Sequence, residues 1–259
     1  MTDFAKTVDG VDIAFEVEGS GPPVVLIHGL GDDRTRWSPV VDLLHKTHSC
    51  VTLDLRGQGD SHGGTDFDAL VLDRDVEAVV DRLGLDRPWV VGHSLGGFVA
   101  TTYAARKPVG GAVNVDQPLH LAAFAGALRP LAPVLHSDKW RDVAMAILDA
   151  AGDQQLSPEA RKVIRESRLR LKQEVVLGAW RTILEDDEAT IERKVRAAIG
   201  GISAPYLSLF GNDPGPGYEA WLHESIPAAE VDLWAGLGHY PHLVDPKRFV
   251  QRLRAVMVG

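Results

Sequence analysis

The sequence has 259 residues, a formal net charge of −9 and 45% hydrophobic residues, an ordinary globular balance. The acidic charge argues against nucleic acid or an anionic membrane surface as a partner, because binding either one requires a basic face. A single cysteine, no signal-peptide pattern at the N-terminus and no apolar run of roughly 20 residues together favour a cytoplasmic, disulfide-free chain with no membrane partner.

Short apolar strands alternate with helical segments along most of the chain. The pattern predicts strands at 11–17, 24–27, 50–53, 89–91, 112–115, 206–210 and 231–234. It predicts helices at 38–46, 66–83, 98–106 and 246–257. This alternation indicates an α/β fold with a mainly parallel sheet and helices on both of its faces.

Residues 117–201 interrupt the alternation, because they contain several helical segments and no good strand. Ser157 followed by Pro158 is a typical helix start, with an N-cap serine and a proline at the first helical position. We therefore predict a core made of residues 1–116 and 202–259 and a helical insertion at 117–201. A run of basic residues within this insertion is interpreted as a solvent-exposed helix surface: Arg161, Lys162, Arg165, Arg168, Arg170 and Lys172.

Ser94 lies in the pentapeptide Gly92-His93-Ser94-Leu95-Gly96, directly between a predicted strand and a predicted helix. A sharp strand-to-helix turn would lift its hydroxyl above the sheet edge, and the flanking glycines remove side chains that would collide in such a turn. The helix N-terminus behind it offers free backbone N–H groups to a developing negative charge. This context predicts that Ser94 is a nucleophile.

A serine nucleophile requires a base and an acid that orients the base. His239 follows the last predicted strand on a loop at the same sheet edge, whereas His242 leads into the final helix, so we favour His239 as the base. Asp213 and Asp116 each follow a strand at this edge. We favour Asp213 as the acid and keep Asp116 as the alternative.

Two backbone amides are candidates for an oxyanion hole. The first is the N–H of Leu95, the residue after the nucleophile, and the second is the N–H of Leu30 in the loop that follows strand 24–27. No further cluster of His, Cys or Asp at metal-ligand spacing appears, so we predict neither a metal nor a cofactor.

Four motifs in this order resemble the α/β-hydrolase superfamily. They are HG at 28–29, DLRGQGDS at 54–61, GHSLGG at 92–97 and GH at 238–239. The resemblance covers essentially the whole chain and implies an eight-stranded, mostly parallel sheet with a helical cap inserted after the sixth strand. One departure concerns the acid: relatives usually place it three residues after the glycine, but Asp213 follows Gly211 by only two. Some similar lactonases carry the acid after the sixth strand, where Asp116 stands.

The substrate is expected between the sheet edge and the insertion. Beside Leu30, the candidate pocket residues are Trp37, Leu119, Phe124, Trp140 and Trp180. These features favour a serine hydrolase acting on a small, mostly uncharged ester or lactone through an acyl-enzyme. Perhydrolases (haloperoxidases), C–C hydrolases, hydroxynitrile lyases and hydrolase-like receptors share the same motifs, and the sequence leaves the oligomeric state open.

Overall fold

Continuous apolar stretches form the central strands of an eight-stranded sheet in the computed structural model, which describes residues 2–152 and 154–258. Strands buried on both faces read as near-continuous apolar runs, and Gly111–Val115 and Tyr206–Phe210 are buried throughout, with one polar residue each, Asn114 and Ser208. The strands are β1 Asp3–Lys6, β2 Asp12–Glu18, β3 Pro23–Ile27, β4 Ser49–Leu53, β5 Trp89–His93, β6 Gly111–Val115, β7 Tyr206–Phe210 and β8 Ala229–Leu233.

The strands follow the order β1-β2-β4-β3-β5-β6-β7-β8 across the sheet. The pairs β1–β2 and β2–β4 are antiparallel, and all later neighbours are parallel. The prediction of an eight-stranded, mostly parallel sheet is therefore confirmed. The element pattern did not predict β1, and β8 begins two residues earlier than expected. The carboxyl ends of β3 and β5–β8 meet at one edge, where ligands bind in open sheets of this kind.

Helices cover both faces of the sheet. Among the described residues the α-helices are α1 Ser38–Leu44, α2 Asp73–Leu83, α3 Leu95–Arg106, α4 Ala122–Leu128, α5 Ala132–Leu135, α6 Trp140–Ala150, α7 Pro158–Leu169, α8 Gln173–Ala179, α9 Arg181–Glu185, α10 Glu188–Ile199, α11 Tyr218–His223, α12 Pro241–Val244 and α13 Pro246–Val258. Helices α1 and α13 pack together over one apolar cluster, and α2, α3 and α10 pack over the other.

Helices α4–α10 lie in the helical insertion, between β6 and β7. The predicted N-cap at Ser157 is present, since its side chain accepts a hydrogen bond from the backbone N–H of Ala160. Across residues 2–152 and 154–258, no helix combines the length and the apolar character needed to cross a membrane.

Candidate active site

Ser94 occupies a strained turn between β5 and α3. Its φ of 51° and ψ of −125° fall in a region that residues with a side chain rarely adopt. Its backbone N–H donates to the carbonyl oxygen of Val115, which ties the turn to β6. A Cβ at Gly92 would lie 1.8 Å from the carbonyl oxygen of Gly96, and one at Gly96 would lie 2.4 Å from that of Ile27. These two positions therefore require glycine.

His239 lies on the loop after β8 and is hydrogen-bonded to Asp116. The Nδ1 atom of His239 is 2.7 Å from Oδ2 of Asp116, whose side chain is almost completely buried at the end of β6. The other carboxylate oxygen of Asp116 accepts the N–H groups of Gly211 and Asn212, at 2.7 and 3.2 Å. An ionised carboxylate only accepts hydrogen bonds, so this hydrogen bond requires a proton on Nδ1 of His239.

Asp213 does not contact His239 in the described structure. Its side chain is exposed, and Oδ1 accepts the backbone N–H of Gly215 at 2.8 Å, which stabilises the turn after β7. The geometry therefore favours Asp116 as the acid, whereas the sequence favoured Asp213. It gives Asp116 the position beside the histidine and Asp213 the role of a turn residue.

The loop that follows β3 lies directly against Ser94. A Cβ at Gly29 would be 3.1 Å from the Cβ of Ser94. His28 fixes this loop, because its Nε2 accepts the N–H of Leu55 at 3.0 Å while its Nδ1 is 2.7 Å from the carbonyl oxygen of Gly29. Within the described chain, the N–H of Leu30 has no intramolecular acceptor. Leu95 is the first residue of α3, so its N–H also lacks an intrahelical acceptor.

A cavity of about 320 Å³ opens beside Ser94, His239 and Asp116. Its wall is formed mainly by apolar side chains from the insertion and the core: Leu30, Ala69, Leu70, Leu95, Phe98, Pro118, Leu121, Phe124, Ile147, Leu148, Ala151, Ala179, Trp180, Ile183 and Val195. Polar side chains also contribute: Gln117, His120, Thr182 and Asn212. No lysine or arginine appears among the described residues of this lining.

Three of the five residues expected around the pocket lie elsewhere. Trp37 is fully buried, with its ring centroid 4.6 Å from that of His242. Leu119 is fully buried in the core, and Trp140 is half-buried with the Arg141 guanidinium 4.5 Å from its ring centroid. Phe124 and Trp180 do line the cavity. The cavity is also lined by Ile147, Leu148, Ile183 and Val195, which were not predicted, because helical periodicity shows an apolar face but not what that face covers.

A network of buried polar side chains lies behind His239. Nε2 of His93 is 2.8 Å from the backbone carbonyl oxygen of His239, and the backbone N–H of His239 donates to the carbonyl of Gly152 at 3.0 Å. Burial lowers the pKa of His93 well below its ordinary value, and the nearby His239 and His242 add to this effect. His93 is therefore a neutral imidazole at physiological pH.

Arg168 of the insertion reaches into the same network. It was interpreted as part of a solvent-exposed surface, but it is only 1% exposed. Its Nη2 donates to the Tyr240 hydroxyl at 3.0 Å, and that hydroxyl donates to Oδ2 of Asp32 at 3.2 Å. Burial raises the pKa of Asp32, while the guanidinium groups of Arg36 and Arg168 oppose that rise. Among residues 2–152 and 154–258, no group of three His, Cys, Asp or Glu side chains is arranged to hold a metal ion.

Comparison with known proteins agrees with this architecture. A family model described as "Alpha/beta hydrolase family" matches residues 24–252, so the chain belongs to that family. The predicted superfamily and the prediction of a hydrolase enzyme are confirmed at this level.

Individual relatives are similar over nearly the full chain. A pimeloyl-[acyl-carrier protein] methyl ester esterase of Photobacterium profundum is 28% identical over 93% of this chain and 97% of the relative. Among solved structures, Est816, described as an N-acyl homoserine lactone degrading enzyme, superposes with a TM-score of 0.81 at 22% identity, covering 98% of this chain and 99% of its own. A protein described as "a putative aryl esterase from Burkholderia cenocepacia" has a TM-score of 0.79 at 24% identity over all of both chains.

Proposed function

We propose that this protein is a serine hydrolase that cleaves a small, mostly uncharged carboxylic ester or lactone through an acyl-enzyme on Ser94. The Asp116–His239 hydrogen bond, which lies with Ser94 at one apolar cavity, is the observation that carries this function. A strained serine between strand and helix, a histidine and a buried carboxylate are the three groups that acyl transfer to a serine requires.

In the proposed reaction, Ser94 Oγ attacks the carbonyl carbon of the substrate while its proton passes to Nε2 of His239. Asp116 holds the Nδ1 proton and stabilises the imidazolium that forms. The N–H groups of Leu30 and Leu95 donate to the oxyanion. When the C–O bond breaks, the leaving alcohol takes the proton from His239. Water then attacks the acyl-enzyme with His239 as base, and the carboxylic acid leaves.

The cavity wall favours an uncharged acyl group. An anionic substrate would lose its hydration in this apolar space without a lysine or arginine to pair with, and that desolvation is costly. The names of the relatives support ester or lactone chemistry, since they include a methyl ester esterase and an enzyme that degrades an acylated lactone. The helical insertion serves as the cap that encloses the substrate.

The test is hydrolysis of p-nitrophenyl butyrate by the wild type and by Ser94→Ala, with Ser20→Ala as the matched control. Ser20 is an exposed serine in the turn between β2 and β3. We expect kcat/KM to fall by more than about 10³-fold in Ser94→Ala and to stay unchanged in Ser20→Ala. Intact-mass measurement after rapid quenching should show one butyryl group on the wild type and none on Ser94→Ala.

Mono-p-nitrophenyl succinate tests the substrate class, because its acyl chain has the same length but ends in a carboxylate. We expect its kcat/KM to be at least about tenfold below that of the butyrate, which corresponds to roughly 1.4 kcal/mol. Equal activity of Ser94→Ala and the wild type would refute the assignment of Ser94 as the nucleophile. A preference for the succinate would refute the proposed preference for uncharged substrates but not the assignment of Ser94.

A further inference from the structure

His93, the residue before Ser94 in β5, donates a hydrogen bond to the main chain of His239. The acceptor is a carbonyl oxygen, which can only accept, so the proton must reside on Nε2 of His93. The hydrogen bond joins residues that are 146 positions apart in the chain. The side chain that holds the base therefore belongs to the same strand that presents the nucleophile.

The His93 ring is held on three sides by other rings. Its centroid lies 4.6 Å from that of His239, 4.5 Å from that of Tyr240 and 4.7 Å from that of His242. Its Nδ1 faces the loop after β3, where Oδ2 of Asp32 is 4.0 Å away. The imidazole thus spans the distance between this loop and the loop that carries His239.

From this arrangement we propose that His93 is a positioning residue for His239, acting as a neutral Nε2–H donor that fixes the histidine's main chain relative to Ser94. The inference rests on the proposed function, since it assigns His239 as the base. The Asp116 hydrogen bond fixes the ring through Nδ1, and the His93 hydrogen bond fixes the backbone to which that ring is attached. A displacement of about 1 Å in a catalytic group costs about 10²-fold in rate, which sets the size of the expected effect.

The experiment compares His93→Gln with His93→Met. The two side chains have the same length, and the terminal amide nitrogen of glutamine reaches the position of Nε2, whereas the methionine methyl group cannot donate. We expect His93→Met to lower kcat for p-nitrophenyl butyrate by roughly 30- to 100-fold with KM changed less than about threefold. We expect His93→Gln to recover at least tenfold of that loss.

His242 provides the matched control, because it is equally buried and contacts the same ring cluster. No hydrogen-bond partner of its ring nitrogens lies among the described residues. His242→Gln and His242→Met should have equal kcat values, each within about threefold of the wild type. Equal losses in His93→Gln and His93→Met would overturn the inference, as would a loss in His242→Met as large as that in His93→Met.

Two further measurements keep the test decisive. If His93→Met does not fold, His93→Asn replaces it, since its amide nitrogen lies near the Nδ1 position and cannot reach the carbonyl of His239. Proton NMR on ¹⁵N-histidine-labelled protein reports the Nδ1–H proton of His239 directly and requires no turnover. We expect its low-field signal in the wild type and in His93→Gln. In His93→Met, or in His93→Asn if that variant replaces it, we expect a broadened or shifted signal. The same signal in all three would refute the inference even if the esterase activity itself proved absent.

Discussion

The carboxylate that faces His239 comes from the end of β6, and the reason lies in how neighbouring strands end. Asp116 has a φ of 53° and its N–H donates to the carbonyl of Leu209, so the chain turns sharply where β6 leaves the sheet. Gly211, at the end of β7, lies so close to Gly238 that a Cβ there would be 2.0 Å from the Gly238 carbonyl oxygen. The loop carrying His239 therefore passes over the end of β7 and meets the carboxylate of the adjacent strand.

The two candidate acids can be separated by matched substitutions. We expect Asp116→Asn to lower kcat by about 10³–10⁴-fold, because the amide oxygen stays with the N–H groups of Gly211 and Asn212, so that the NH2 group faces Nδ1 of His239 and imposes the wrong tautomer. Asp213→Asn should change kcat by less than about threefold, since Asp213 is an exposed turn residue. Steady-state kinetics with p-nitrophenyl butyrate at neutral pH is the measurement. A larger loss in Asp213→Asn would reverse the assignment.

The C-terminal turn of α7 joins the helical insertion to the loop that follows β3. Ser167 Oγ and Arg170 Nη2 each donate to Oδ2 of Asp33 at 2.7 Å. Arg168 reaches deeper, to the buried Tyr240 hydroxyl, and it also donates to Oδ1 of the half-exposed Asp149 within the insertion, at 2.5 Å. One turn of helix thus connects the insertion to both loops that carry the proposed oxyanion donor and base.

Substitutions of Arg168 and Arg170 test how much this connection contributes to stability. Arg168→Met should lower the free energy of unfolding by about 2–4 kcal/mol, because it leaves the buried Asp32 with less compensating charge and removes a donor to Tyr240. Arg170→Met should cost no more than about 1 kcal/mol, because its side chain is 63% exposed and its ion pair is screened by water. Urea unfolding followed by circular dichroism measures both values.

A double variant identifies the cause of the Arg168 effect. If uncompensated charge is responsible, Asp32→Asn combined with Arg168→Met should recover part of the lost stability. Additive losses in the double variant, or equal losses in Arg168→Met and Arg170→Met, would contradict this account.

Over the whole molecule, the sequence predicted what local patterns encode and missed what tertiary packing decides. Six strands followed from apolar runs and the strand at 11–17 from alternation after a turn signal, but β1 is a four-residue edge strand whose residues are mostly exposed, so it has no such run. Trp37 and Trp140 were predicted to line the pocket as large aromatic residues, and only Trp140 had been placed on a periodic helical face. Neither signal could indicate that Trp37 packs against α13 on the far side of the sheet. Asp116 and Asp213 were equivalent by position because both follow strands of one sheet edge.

The buried histidine cluster also sets how the whole fold responds to acid. Burial lowers the pKa of His242 from 6.5 to about 3. The unfolded chain binds this proton as the pH falls below 6.5, whereas the folded chain does not bind it until about pH 3. Between these limits the unfolded state holds more protons. The free energy of unfolding therefore decreases by about 1.4 kcal/mol for each pH unit by which the pH is lowered, from this one group.

His242→Phe tests this contribution, since phenylalanine fills a similar volume between Trp37 and Phe249 and does not titrate. Urea unfolding of both proteins at pH 8, 7, 6 and 5 gives the two stability curves. We expect them to run parallel from pH 8 to 7 and to converge or cross below pH 6.5, as the wild type loses stability faster by about 1.4 kcal/mol per unit. Other titrating groups are common to both proteins and cancel in the difference. Curves that stay parallel down to pH 5 would mean that His242 takes up its proton in the folded state as readily as in the unfolded chain.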